Sequence, residues 1–176
     1  MDRINKLAAV TMDYPETKDV LDTAERVFLL AMRRWVATRQ RNGNALFHTR
    51  AVLASAGAAD AAFPLDRFMA LAALSTCRRV VTYCPCTPHL GQDEKLMLHS
   101  ASLVQNGDSE ESCRVLQTSI LTLEGAVLAL GPLEEMGEQF ARSGLWFRRR
   151  TMPVVEPGFP VGVESWISSL SGTTLH

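Results

Sequence analysis

Residues 19–41 read DVLDTAERVFLLAMRRWVATRQR. Val20, Ala24, Val27, Phe28, Ala31, Trp35 and Thr38 recur at intervals of three and four, which sets them on one side of a helix. That side is broad and apolar, so the segment predicts a core helix that buries Phe28 and Trp35. Arg41-Asn42-Gly43-Asn44 then supplies a glycine to close this helix and an asparagine to cap the next.

The punctuation continues outward. A second helix is expected over 45–56, with Leu46, Leu53 and Ala56 inward and Gly57 at its end. Pro64 is placed to open a third, because its missing N–H is unsatisfied there anyway; Leu65, Phe68, Met69 and Ala72 face inward, and the helix ends near Val80. Thr87 before Pro88 is set to cap a fourth helix, which carries Leu90, Met97, Leu98, Ala101 and Val104 as far as Asn106-Gly107. Asp108 followed by Glu111 three residues later has the form of a reciprocal cap that satisfies two orphan amides. Cys113, Leu116, Ile120, Val127 and Leu130 continue it as a long buried helix. Pro132 opens a further one, with Leu133, Met136 and Phe140, up to Gly144. The expectation is an all-α, single-domain helical bundle of five or six helices over 19–144, packed antiparallel because its links are short. An N-terminal arm, 1–18, precedes it, and an irregular Pro/Gly-rich C-terminal tail, 145–176, follows.

Composition agrees with helix. Twenty Ala and twenty-two Leu stand against two Tyr, and these side chains lose little rotamer freedom in a helix. Eighteen Lys and Arg against nineteen Asp and Glu leave a net charge of −1, which excludes binding of nucleic acid or acidic lipid by bulk charge. The apolar stretch Ile120–Leu130 is interrupted by Thr122, Glu124 and Gly125, too short for a membrane span, and Leu7-Ala8-Ala9-Val10 is too short for an export signal. A cytoplasmic protein without a membrane partner is expected, its four cysteines reduced or metal-bound.

Chemistry concentrates in one place. Cys77, Cys84, Cys86 and His89 lie within thirteen residues around a proline-stiffened loop, and thiolate with imidazole is a donor set that suits zinc. Against this, Cys77 falls on an apolar helical face, as does Cys113, and both are expected in the core as small hydrophobes. Cys84 and Cys86 stand in the loop before a helix N-terminus, a setting that favours thiolate and therefore redox reactivity.

The charges are uneven. Six Arg and no acid lie between Arg26 and Arg50, while seven acids and one Arg, Arg114, lie between Asp108 and Glu138. The two regions are expected to pair; the sharper alternative is an anion-binding face of Arg26, Arg33, Arg34 and Arg41. A helix-turn-helix drawn through the second and third helices leaves Met69 to Leu74 where base-reading side chains would stand, so nucleic acid is not the expected partner. No nucleophile elbow, phosphate loop, dinucleotide turn or His-Glu-x-x-His helix is present, and His48 and His99 are isolated. In the tail, Trp146, Phe147, Phe159 and Trp166 have no local core and are expected to dock on the helices or on another chain, a homodimer being preferred.

Leu29-Leu30-Ala31-Met32-Arg33-Arg34, followed by Cys84-Pro85-Cys86-Thr87-Pro88 and Asp93-Glu94, resembles a family of short alphaproteobacterial helical proteins of unknown function with an Arg-Arg helix and a Cys-Pro-Cys loop. The likeness covers roughly residues 25–145. It implies a bacterial cytoplasmic setting and no mechanism. The residues themselves point to a non-catalytic regulatory or interaction protein whose Cys-Pro-Cys loop binds a soft metal or senses redox state. The alternative is an anion-binding or DNA-binding helical module built on the Arg-rich first helix.

Overall fold

The structure is a computed structural model that describes residues 12–151, with side chains from Tyr14 onward. Six α-helices carry the fold: α1 Thr23–Arg39, α2 Ala45–Ala54, α3 Ala62–Ser75, α4 Gln92–Gln105, α5 Ser109–Ser119 and α6 Leu123–Arg142. Short 3-10 turns at Lys18–Val20 and Ala59–Ala61 precede α1 and α3. The two ends of the described segment meet in a two-residue parallel pair, β1 Met12–Asp13 beside β2 Arg150–Thr151. The all-α bundle is thus present, with six helices.

The core is one cluster. α3 packs chiefly on α6, α1 on α2, and α4 on both α5 and α6. Phe28, Met32, Leu65, Phe68, Leu98, Leu133, Met136 and Phe140 are fully enclosed between them. Trp35 is buried as expected, and its indole N–H donates to Asp66 at 2.6 Å, which satisfies the ring's one polar atom.

Several boundaries differ from the sequence reading. The left-handed residue after α1 is Asn42, φ 54°, rather than Gly43, while Asn44 does cap α2 by accepting from the Phe47 amide at 3.0 Å. Pro64 is the third residue of α3, inside the first turn where an absent N–H still costs nothing. The long fifth helix is in fact two. It breaks at Ile120-Leu121, both buried, where the Leu121 amide reaches back to the Leu116 carbonyl, and Thr122 caps α6 by accepting from Gly125 at 3.2 Å. Pro132 opens no helix; it lies buried inside α6, and Val127, expected inward, is exposed. The Asp108 side chain makes no cap; a glutamate instead closes back at α1, where Glu25 accepts from the Asp22 amide at 2.8 Å.

After α6 the chain is pinned rather than loose as far as Thr151. Phe147 stacks on Phe140, ring centroids 5.4 Å apart, and meets Phe28 edge-on at 5.8 Å. Arg150 forms a buried two-point pair with Glu25 at 2.6 and 2.8 Å. Trp146, by contrast, is 63% exposed. Phe159 and Trp166 lie outside the described residues.

Candidate functional site

Between α3 and α4 runs a non-helical segment, 76–91, longer at both ends than the loop that the sequence reading set between a helix ending near Val80 and one capped by Thr87. Thr76 turns extended after α3, and α4 starts only at Gln92 behind Gly91, not at Thr87. The acidic residues of the first turn of α4 explain the late start. Asp93 accepts from the Val81 amide at 2.7 Å and from the Arg78 guanidinium, and Glu94 accepts from the amides of Tyr83 at 2.9 Å and Gly91 at 2.8 Å. The run 80–83, which belongs to no helix or strand, is therefore strapped across the start of α4 by side chains.

Arg33 organises the rest. It reaches from α1 with 1% exposure, and all five guanidinium N–H groups have partners. Two go to Glu94, at 2.7 and 2.8 Å; the others go to the carbonyls of Thr87 at 2.7 Å, His89 at 2.6 Å and Cys84 at 3.3 Å. Glu94 in turn accepts four bonds, two on each oxygen, and is itself fully buried. Arg33 is consequently not part of an exposed anion-binding face, because no donor is left for a ligand. Arg26, Arg34 and Arg41 do remain exposed on or beside α1. Nor, among the described residues, do these arginines pair with the acids of 108–138: Arg33 pairs with Glu94, while Asp108, Glu111, Glu135 and Glu138 pair with Arg149, Arg114, Arg67 and Arg142.

The clamped segment ends in a tight turn. The Thr87 amide donates to the Cys84 carbonyl at 2.9 Å, with Pro85 in the second position that its fixed φ suits. Lys18, from the 3-10 turn before α1, donates to the carbonyls of Pro85 at 3.2 Å and Cys86 at 3.4 Å. The turn places the Cys84 and Cys86 sulfurs 2.8 Å apart, with both residues exposed. The hydrogen bond the two sulfurs share holds Cys84 below the usual thiol range; the guanidinium charges of Arg33 and Arg41 act in the same direction. The same bond raises Cys86. Of the two thiols, Cys84 is thereby the more acidic and Cys86 the less.

The four residues read as a metal set are not brought together. Cys77 is exposed rather than in the core, because α3 stops two residues before it; its thiol donates to the Ile120 carbonyl at 3.2 Å. His89 is exposed and pairs by backbone with Thr17. Among the described residues no group of three or more His, Cys, Asp or Glu side chains converges to hold a metal ion. Cys113 is half-buried on α5.

Arg33 through Glu94, Asp93 with Arg78, and Lys18 are the residues that shape the site and that motif reading did not single out as a set. Their signal in sequence was the acidic pair Asp93-Glu94 directly after a Pro- and Gly-containing loop, which has the same form as an ordinary first-turn charge preference. No family of known proteins matches the chain, and no curated protein or solved structure is significantly similar to it. Among the described residues, no helix is long and apolar enough to cross a membrane.

Proposed function

We propose that this is a non-catalytic regulatory or interaction protein in which Cys84 and Cys86 form a thiol–disulfide switch. The observation that carries this is the 2.8 Å approach of two exposed sulfurs on a turn fixed from below by Arg33 and Lys18. A disulfide requires sulfurs at ~2.05 Å, so closure needs a small movement and no rearrangement of the helices. The Cys84 thiolate attacks one sulfur of a disulfide oxidant, forming a mixed disulfide and releasing one thiolate. Cys86 then loses its proton, attacks the Cys84 sulfur and expels the second thiolate. One protein dithiol and one disulfide become one protein disulfide and two thiols. Since Arg33 holds the carbonyls of Cys84, Thr87 and His89, a change in the turn is felt directly at the Arg33–Glu94 pair.

The same two thiols are the donors a soft metal such as zinc would use, but the described residues add no third ligand, which favours the redox reading. The test is titration with oxidised dithiothreitol, followed by peptide mass mapping, alongside elemental analysis of protein purified without a metal-affinity step. The expected result is an intraloop Cys84–Cys86 disulfide at a defined potential, absent in Cys84→Ser and in Cys86→Ser. Stoichiometric bound metal, or two thiols that stay unreactive in the native protein, would overturn it.

A further inference from the structure

Arg26, Leu29, Leu30 and Arg33 follow the spacing i, i+3, i+4, i+7 and so share one face of α1. Lys18 and Asp19 from the 3-10 turn, and Pro85 from between the two thiols, close over this face and leave a recess of about 170 Å³. The recess touches the dithiol turn directly through Pro85.

Its charges do not cancel. Arg33 is balanced by Glu94 and has no donor to spare; Lys18 is turned to the carbonyls of Pro85 and Cys86, and Asp19 opposes it. Arg26 is the surplus: it is exposed, and its guanidinium has no hydrogen bond or ion pair with a described residue. The nearest other acids on its helix are committed, Glu25 to Arg150, and Asp22 to a looser pair with Arg148 at 3.9 Å. The remaining lining, Leu29, Leu30 and Pro85, is apolar. A cation at one end, an aliphatic floor, and a dithiol turn at the other fit a short aliphatic chain that bears a carboxylate at one end and sulfur at the other.

We propose that this recess recognises the oxidant of the Cys84–Cys86 switch, and that the oxidant is a low-molecular-weight disulfide with a carboxylate on each half. The inference rests on the thiol switch described above. Arg26 pairs with one carboxylate, the methylenes lie on Leu29, Leu30 and Pro85, and the sulfur–sulfur bond is presented at the turn. The two exchange steps then run as written, and both released thiols carry a carboxylate.

The experiment follows dithiol loss by rapid quench and mass spectrometry with three disulfides: dianionic 3,3′-dithiodipropionate, neutral bis(2-hydroxyethyl) disulfide and dicationic cystamine. The dianion is expected to react on the order of tenfold faster than the neutral compound at low ionic strength, with cystamine slowest and the preference falling as salt is added. Arg26→Glu is expected to abolish that preference, read as the ratio of the dianion rate to the neutral rate in the same protein, and Arg34→Glu, with the same change of charge on exposed α1 surface, to retain most of it. A preference unchanged in Arg26→Glu, or lost equally in Arg34→Glu, overturns the recess as the recognition site. Binding of the inert thioether 3,3′-thiodipropionate, followed by NMR shifts, separates the two layers. If no disulfide oxidises the pair but the thioether binds wild type and not Arg26→Glu, the carboxylate site stands and the switch falls. If the thioether binds neither protein, the recess carries no anion.

Discussion

Arg33 and Glu94 face each other in a two-point pair at 2.7 and 2.8 Å, both buried, and between them they make every hydrogen bond their side chains allow. A buried ion pair stabilises little when compared with apolar packing, but removing one partner leaves the other uncompensated. Arg33→Ala, and separately Glu94→Ala, should each cost about 3–5 kcal/mol in urea unfolding. The double variant should cost clearly less than the sum, because neither charge is then stranded. Strict additivity would mean that the pair is not the unit described here. Arg33→Ala should also free three carbonyls of the dithiol turn, read as faster amide hydrogen exchange over 84–91.

The ordering of the two thiols gives a second expectation. Cys84 is held below the ordinary thiol value, chiefly by its bond with Cys86. Alkylation of Cys84 by iodoacetamide, followed against pH, should therefore show a midpoint below that value in wild type. In Cys86→Ser the midpoint should move, since a hydroxyl replaces the thiol, while the guanidinium charges of Arg33 and Arg41 persist. Cys86 in Cys84→Ser should react only at higher pH than Cys84 does in wild type. Equal midpoints for the two thiols would contradict the assigned roles of attacker and resolver.

Buried His99 on α4 supplies a pH dependence of stability. Its ring packs edge-on against Tyr14 at 6.0 Å, and its Nδ1 has no hydrogen-bond partner among the described residues. Burial holds its pKa below the ordinary value, with Glu111 opposing. The unfolded chain therefore binds a proton at higher pH than the folded one does. Stability is fully present above the unfolded value of about 6.5 and declines as pH falls below it, since protonation then favours the unfolded chain. Unfolding free energies measured from pH 8 to 5 should show this slope in wild type and a flatter profile in His99→Leu. An identical slope in both would place the effect elsewhere.

How much of this was legible in the residues depends on the range of the interaction. The α1 stripe was readable because Phe28, Ala31 and Trp35 are fixed by a local period. The break at Ile120-Leu121 was not, because two apolar residues buried from a turn look like a continuing helix. The capping signal was Thr122 followed by the Gly125 amide, one short motif inside an apolar run. Pro132 misled in the opposite sense: its buried ring packs in the core of α6, and tertiary packing offsets the lost hydrogen bond. At the site, the Cys-Pro-Cys turn was local and was seen, whereas Arg33 was taken for surface. Its partner lies 61 residues away, and nothing in the spacing of a charged pair Arg33-Arg34 says which one turns inward.

The junction of α3 and α6 permits the sharpest packing test. Gly125 sits in the first turn of α6 against Ser75, the last residue of α3, and a Cβ built there would meet the Ser75 Cβ at 2.2 Å. That atom is fixed to the backbone and cannot swing away. The same junction is tied by backbone bonds from Thr122 to the Ser75 carbonyl at 2.8 Å and from Cys77 to the Ile120 carbonyl at 3.0 Å, so the helices cannot easily separate. Helix propensity favours Gly125→Ala by up to ~1 kcal/mol, but overpacking at this distance costs about 1–3 kcal/mol, and the clash should win. Gly125→Ala is thus expected to lower the midpoint of urea unfolding. Placed on a Ser75→Gly background, where the obstructing carbon is gone, the same substitution should become neutral or stabilising. If Gly125→Ala is equally harmful on both backgrounds, contact with Ser75 is not what requires a glycine at this crossing.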